Sequence, residues 1–461
     1  MMRLVLIFVL LPGLVRADAF SDFYLARDAA ELVARASAGH GLMAELALLG
    51  GDDVATFKHL VLALKGNEKP AIYLLNMFRN VYLSSNDMPQ LVRLHKGLAA
   101  SHEDPEVRAV AAFTLARLLY LQGDTVAMKE TLSKAGLVLP LYVIGTWDND
   151  QGKGFDVEFP PEREIDLKAR YQGALLDIGW RKAQTQPLGQ VELDELMAPT
   201  QWSVAYAVSA VAVEREGDYE VRLTTSDPFK LFVDGVLVME ERELDATDMI
   251  PDAFVVRVHL GKGPHRILVK SAQREGDWVI RVRLSGPGGS VPEAVSPIAP
   301  DTEPLAPLRQ FSRLDPDTVF RDVEEGPGRD LMKARWLLWV GLREKAVEAA
   351  QEFVDRHPYS VIGRFVLASA LWSKGERDKV ADLLSDLDRE VGSQLPYIRL
   401  KRAEFLRQQG LDHSARTAIL SVRQAFPKLA EAAIQLANYF ADQGFREDQC
   451  QALRAAEQAR P

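Results

Sequence analysis

Residues 368–387, ASALWSKGERDKVADLLSDL, and residues 403–422, AEFLRQQGLDHSARTAILSV, follow one pattern. Ala368, Leu371, Gly375, Val380, Leu384 and Leu387 in the first stretch recur as Ala403, Leu406, Gly410, Ala415, Ile419 and Val422 in the second. Within each half, apolar residues fall at i, i+3, i+4 and i+7, the period of a helix with one buried face. The glycine between the halves permits a left-handed cap on the first helix. Each stretch therefore predicts two helices joined by a tight turn, with small residues where the pair cross closely.

The pattern extends in both directions. Ala334, Leu337, Gly341, Ala346, Ala350 and Phe353 precede it, with Pro358 closing the unit, and Ala437, Phe440, Gly444, Leu453 and Ala456 follow it up to Pro461. The four glycines at 341, 375, 410 and 444 are spaced by 34, 35 and 34 residues. Leu115, Ala116, Leu119, Gly123, Leu132, Ala135 and Pro140 hold the same relative positions much earlier in the chain. Residues 20–104 read as helical without a fixed register, so a helical-repeat domain is expected over residues 20–140.

From Pro327 to Pro461 the chain resembles the tetratricopeptide-repeat family, whose period is 34 residues. The aromatic and Leu-Gly positions of its first helix are only partly kept. A stack of such hairpins is a docking surface rather than a catalytic pocket, so the resemblance implies a protein or peptide partner. The first-helix positions expected to face that partner are Arg335, Phe365, Trp372, Tyr397, Arg407 and Asn438. Aromatic and Arg side chains are the usual anchors of interfaces, although Phe365 and Trp372 serve equally well as packing between hairpins. The Lys/Asn set with which some relatives clamp a peptide carboxylate is missing at the matching positions. The chain stops at the closing proline of the fourth unit, which leads us to expect either a fragment or a partner covering that end.

Between residues 141 and 289 the helical period gives way to alternation. Tyr219, Val221 and Leu223 alternate with Glu220, Arg222 and Thr224; Phe254, Val256 and Val258 with Val255, Arg257 and His259; Trp278, Ile280, Val282 and Leu284 with Val279, Arg281 and Arg283. Each run predicts a strand with one apolar and one polar face. Asp234-Gly235, between Phe229–Val233 and Val236–Met239, is a hairpin signal because both residue types tolerate positive φ. An antiparallel β-sandwich is expected, so the fold class is multidomain α plus β with helical-hairpin solenoids flanking that sandwich. Prolines 292, 297, 300, 304 and 307 then predict an extended spacer over residues 290–326, before the repeats of 327–461.

The run Gly217 to Leu223, followed by Ser226-Asp227, Leu231 to Gly235 and Val269-Lys270, resembles a galactose-binding-like or protective-antigen-type jelly roll. In that family sugar or calcium can bind at a loop end. Pro228 stands here where calcium-dependent members carry a second Asp, which speaks against calcium-lectin activity. The arrangement also resembles a set of exported bacterial proteins in which helical repeats flank such a sandwich. There it opens with a stretch like Trp147 to Asp156 and Phe159-Pro160-Pro161-Glu162. Some members continue into a transglutaminase-like region, whose thiol chemistry has only Cys450 to draw on here.

Arg3, the apolar stretch Leu4 to Val15 and Ala17-Asp18-Ala19 read as a secretory signal over residues 1–19. Twelve residues are too few to cross a bilayer core about 30 Å thick, so a periplasmic or secreted protein without a later span is expected. A formal net charge of −10 on 461 residues argues against nucleic acid as a partner. The single cysteine, Cys450, allows no internal disulfide and is expected to be buried in a repeat helix.

Other candidate sites have plainer readings. Asp148, Asn149, Asp150 and Asp156 offer oxygen ligands, but Gly152 and Phe159 break an EF-hand spacing. Glu240, Glu241, Glu243, Asp245, Asp248 and Asp252 read as a solvated hairpin connection. His259 and His265 flank one turn, two ligands where zinc takes three or four. Trp147, Trp180, Trp202 and Trp278 invite sugar stacking, yet sandwich cores are also built from tryptophan. No nucleophile elbow, phosphate loop or His-Glu metal motif is present. The expectation is a non-enzymatic scaffold without cofactor or metal. The alternatives are a carbohydrate-binding protein or an accessory part of a transglutaminase-like protein.

Overall fold

The computed structural model describes residues 39–51, 53–65, 70–81, 88–246, 249–292 and 295–459. The expected leader and Asp248 lie outside them. The described residues divide into two compact units: those within 39–88, 319–338 and 343–459 form one, and those within 89–318 with 339–342 the other. The helices expected as one domain over residues 20–140 are thus shared between the two.

In the first unit, α1 (Gly39–Leu49), α2 (Asp53–Lys65) and α3 (Ala71–Val81) join the C-terminal hairpins. In chain order the unit numbering passes over α4 (Met88–Ser101), α5 (Pro105–Leu121), α6 (Thr125–Ser133) and the short α7 (Leu193–Leu196). The hairpins are α8 (Pro327–Val340) with α9 (Arg343–Arg356), α10 (Val361–Lys374) with α11 (Arg377–Val391), α12 (Pro396–Gln408) with α13 (Asp412–Ala425), and α14 (Ala430–Asp442) with α15 (Arg446–Ala459). The four glycines stand at the turns with φ of 91°, 84°, 73° and 76°, the left-handed cap that the spacing predicts.

Ala346, Ala350, Phe353, Ala368, Val380, Leu384, Leu387, Ala403, Ala415, Ile419, Val422 and Ala437 are all buried. Leu453 and Cys450, both expected inside, are exposed instead. Ala452 and Ala456 are the buried residues of α15, so the last helix turns its alanines inward and its cysteine to water.

The second unit is built on two fully antiparallel sheets. One has the order β4 (Arg181–Lys182), β1 (Tyr142–Asp148), β6 (Ser203–Val213), β11 (Gly263–Gln273), β8 (Phe229–Val233), β9 (Val236–Glu241). The other runs β14 (Phe311–Leu314), β10 (Phe254–Leu260), β7 (Gly217–Thr225), β12 (Val279–Ser285), β5 (Val191–Glu192). β2 (Arg170–Gln172) and β3 (Asp177–Gly179) make a separate hairpin. Asp234 and Gly235 both take positive φ, 50° and 79°, at the β8–β9 turn, as the Asp-Gly signal requires. The Phe229 and Phe254 rings, one from each sheet, meet edge to face 4.8 Å apart, and Trp278 Nε1 donates to Ser271 Oγ at 2.8 Å.

The proline-rich segment expected as a spacer carries two of these strands. β13 (Val295–Ile298) pairs with Val213 to Ala210, continuing the edge of β6 where β1 leaves it, and β14 pairs with β10. Pro297 is tolerated because an edge strand needs only alternate N–H groups for its ladder.

The polar face of the second sheet is also inside. Glu220, Arg222, Thr224, Arg283 and Ser285 are 0–2% exposed and Arg281 is 6%, because α5 and the turn at Gly289 cover them. Arg222 donates to Glu106 of α5 at 2.9 Å, to Ser285 at 2.9 Å and to Glu220 at 2.6 Å. Arg283 donates through Nε to Asp252 at 3.0 Å and to the carbonyls of Ala135 and Gly289. The Arg281 guanidinium lies 4.1 Å from the centre of the Phe113 ring. Burial would raise the Asp252 carboxyl, yet Arg283 and Arg222 more than offset it and hold it below its ordinary value. Alternation therefore marks a charged interface rather than a wet surface.

Candidate functional site

The six first-helix residues separate into two groups. Arg335, on α8, is spent within the chain: its Nη1 pairs with Glu45 of α1, which is 1% exposed and also accepts from Tyr73 Oη. Burial, with Glu45 beside it, raises the Tyr73 hydroxyl well above its ordinary pKa, so it stays a donor to the carboxylate. α1 lies against α12 as well, and a Cβ at Gly51 would come within 3.2 Å of Pro396 and 3.1 Å of Leu429. The N-terminal helices thus occupy part of the first-helix side of the hairpins. Nothing in residues 20–104 fixes a register that would have announced this.

The other group lies along α10, α12 and α14. Trp372 donates from Nε1 to Gln408 at 2.9 Å, meets Phe405 edge-on at 5.3 Å, and carries the Lys401 ammonium 4.6 Å from its ring. Arg407 pairs with Asp442 on the next hairpin. Asn438 is exposed, and Tyr397 packs partly on the cluster of Leu400, Ala403, Ile419 and Leu429. Phe365 is half-buried on α10. Trp372, Lys401, Gln408, Arg407 and Asp442 therefore form a polar-aromatic ladder across three successive first helices.

In the second unit the oxygen-rich stretches do not converge. Asp148 and Asp150 are exposed, Asn149 is buried with its amide donating to Gln273 O at 3.0 Å, and Asp156 pairs with Arg242. Glu241 pairs with Arg313, Glu240 with Lys230 at 3.9 Å, Glu243 with Arg274 at 4.0 Å, and Asp252 lies in the buried arginine cluster. Among the described residues no group of three or more His, Cys, Asp or Glu is placed to hold a metal ion. His259 bonds Asp218 at 2.8 Å and His265 bonds Asp234 at 2.7 Å, so the two imidazoles serve separate carboxylates.

The stretch from Trp147 to Glu162 folds over the first sheet and closes a second core. Phe155 and Trp147 are buried with Tyr206, Val208 and Leu268, and Phe159 stacks on Trp147 at 5.0 Å. A Cβ at Gly154 would fall 2.3 Å from Asp148 O, so only glycine lets the chain return this closely. Glu162 accepts from Lys270 Nζ at 2.8 Å and from the Tyr206 hydroxyl. Lys270 is fully buried; burial lowers its pKa, against the pull of Glu162. These residues fasten a cover to a sheet.

One carboxyl stands apart. Asp227, at the end of β7, is held by the Ser226 hydroxyl at 2.6 Å. Burial, with Asp245, Asp194 and Asp277 nearby, pushes it up to about 8 against that hydrogen bond.

No family model matches the chain, and no curated protein matches it. Two solved structures of MamA, one a point mutant and one of the AMB-1 protein, are similar at 14% identity and a TM-score of 0.25. They cover 31% of this chain and 86% and 80% of their own. The helical-hairpin architecture rests on the chain's own glycine turns and buried faces.

Proposed function

We propose that the protein is an exported, non-enzymatic scaffold that holds a protein or peptide on the first-helix face of α10, α12 and α14. The ladder from Trp372 and Lys401 to Arg407 and Asp442 carries this reading. An aromatic ring on one first helix and a guanidinium on the next are of the residue types that dominate binding energy at interfaces. Helix-borne side chains also lose little freedom when they bind. The sandwich, with its proposed galactose-binding-like or protective-antigen-type relationship, is architecture in this account, fixed by buried ion pairs on one sheet and an aromatic cover on the other.

No helix among the described residues is long and apolar enough to cross a membrane. Replacing Trp372 and Arg407 together by Ala removes one ring that packs on Phe405 and one ion pair with Asp442, and leaves the buried alanines and glycine turns of the hairpins in place. The double variant is expected to lose capture of its partner from an envelope extract while keeping the helical circular dichroism of the parent. Undiminished capture by a folded double variant would remove the ladder from the account.

A further inference from the structure

Within the second unit, α4, α5 and α6 enclose a cleft of about 900 Å³ with the turn at Gly289 to Val291. That size is ordinary for a small-molecule site. Its long wall is one stripe of α5: Ala109, Ala112, Leu115 and Leu119, spaced by three or four residues and so on one face. Val92 and Ala99 of α4 and Ala127 of α6 complete the apolar lining. From Arg108 to Leu119 the wall runs about 16 Å, at 1.5 Å per residue. Val291 also lines a second cleft of about 440 Å³, with Leu137, Leu139, Pro187 and Pro297, so apolar surface continues past the turn.

The charged side chains of the lining are divided between its ends. Lys96 of α4 is exposed, and Arg108, near the start of α5, gives Nη1 to the carbonyls of His102 and Glu103 at 2.5 and 3.0 Å. Those are carbonyl oxygens rather than carboxylates, so the guanidinium charge is not neutralised by them. At the α6 end the acids are engaged. Asp124 accepts from Ala127 N at 3.0 Å, and Glu130 stands 4.0 Å from Lys134.

We propose that this cleft binds a single acyl chain with a carboxylate head, the head at Lys96 and Arg108 and the tail along the α5 stripe. A wall of methyl groups offers no hydrogen bonds. An extended peptide laid on it would bury N–H and C=O groups without partners, whereas a hydrocarbon brings none. A carboxylate head gains charge-assisted hydrogen bonds from the two cations. The site lies within the second unit and uses no residue of the ladder, so either can fail without the other.

Dodecanoate, decanoate and dodecyltrimethylammonium, each below its micelle concentration, are titrated into the full mature chain by calorimetry. Dodecanoate should bind at least about fivefold tighter than decanoate, since a fully buried methylene is worth about fourfold. Dodecyltrimethylammonium should bind at least about tenfold more weakly than dodecanoate, because like charges meet at the head position. Lys96→Glu, at an exposed position, should weaken dodecanoate binding at least about threefold with an unchanged melting temperature. Ala112→Trp should fill the cleft and abolish binding. Ala99→Phe makes the same test from the opposite wall if the tryptophan is not tolerated. No binding of dodecanoate, equal binding of the cationic amphiphile, or unchanged binding in Lys96→Glu or in a folded wall variant would each overturn the proposal.

Discussion

Asp227 shows how a single buried group sets a pH dependence. Its folded pKa, about 8, lies above the ordinary 3.8. Between these values the unfolded chain releases the proton while the folded chain keeps it. The unfolded state then binds fewer protons, so stability falls as pH rises, by up to about 1.4 kcal/mol per pH unit. This contribution is complete below pH 4 and lost by pH 8. Asp227→Asn removes the ionisation, so its denaturation midpoints should decline less between pH 5 and 8 than those of the parent. Trp202, with a φ of 51°, makes a comparable point about strain: a left-handed non-glycine residue costs on the order of 1–3 kcal/mol. That is the margin glycine is expected to recover. Neither feature was legible in sequence. Ser226-Asp227 reads as an acidic loop of the jelly-roll resemblance with no sign of a buried carboxyl, and Trp202 reads like the other three tryptophans of the sandwich until its neighbours are placed.

At the scale of elements, periodicity located most helices and five of the fourteen strands, but it did not say what lies on their polar sides. The runs with Arg222 and Arg283 alternate as a wet strand would, yet α5 covers that face and satisfies it with Glu106. Removing one member of a buried ion cluster leaves another charge unpaired, which costs about 3–5 kcal/mol. Asp252→Ala should therefore lower stability by that amount in urea denaturation, well beyond an exposed substitution such as Glu303→Ala. β6 was missed because SVAYAVSAVAV is buried on both faces, which erases alternation. The hairpins were legible because four left-handed glycines and their alanines recur in register. Gly410, with φ of 73° and nothing within 4 Å of an added Cβ, isolates the backbone term. Gly410→Ala should cost about 1–2 kcal/mol, measured by thermal denaturation.

At the scale of the molecule, the spacing of glycines announced a helical-hairpin array and the alternating runs a β unit between its parts. The division of the chain was not readable, because α1–α3 return to the hairpins from far away in sequence. The contact that reports this, Glu45 with Arg335, spends one of the six residues expected to meet a partner and leaves the ladder of α10, α12 and α14. The central claim is that this remaining first-helix face is the working surface. The most direct measurement places a photo-reactive amino acid at Asn438 on that face and, as a control, at Leu420, exposed on a second helix. Each protein is then irradiated with an envelope extract. The account predicts one discrete adduct from position 438 and none from 420. Adducts of equal yield at both positions, or none at 438, would contradict it.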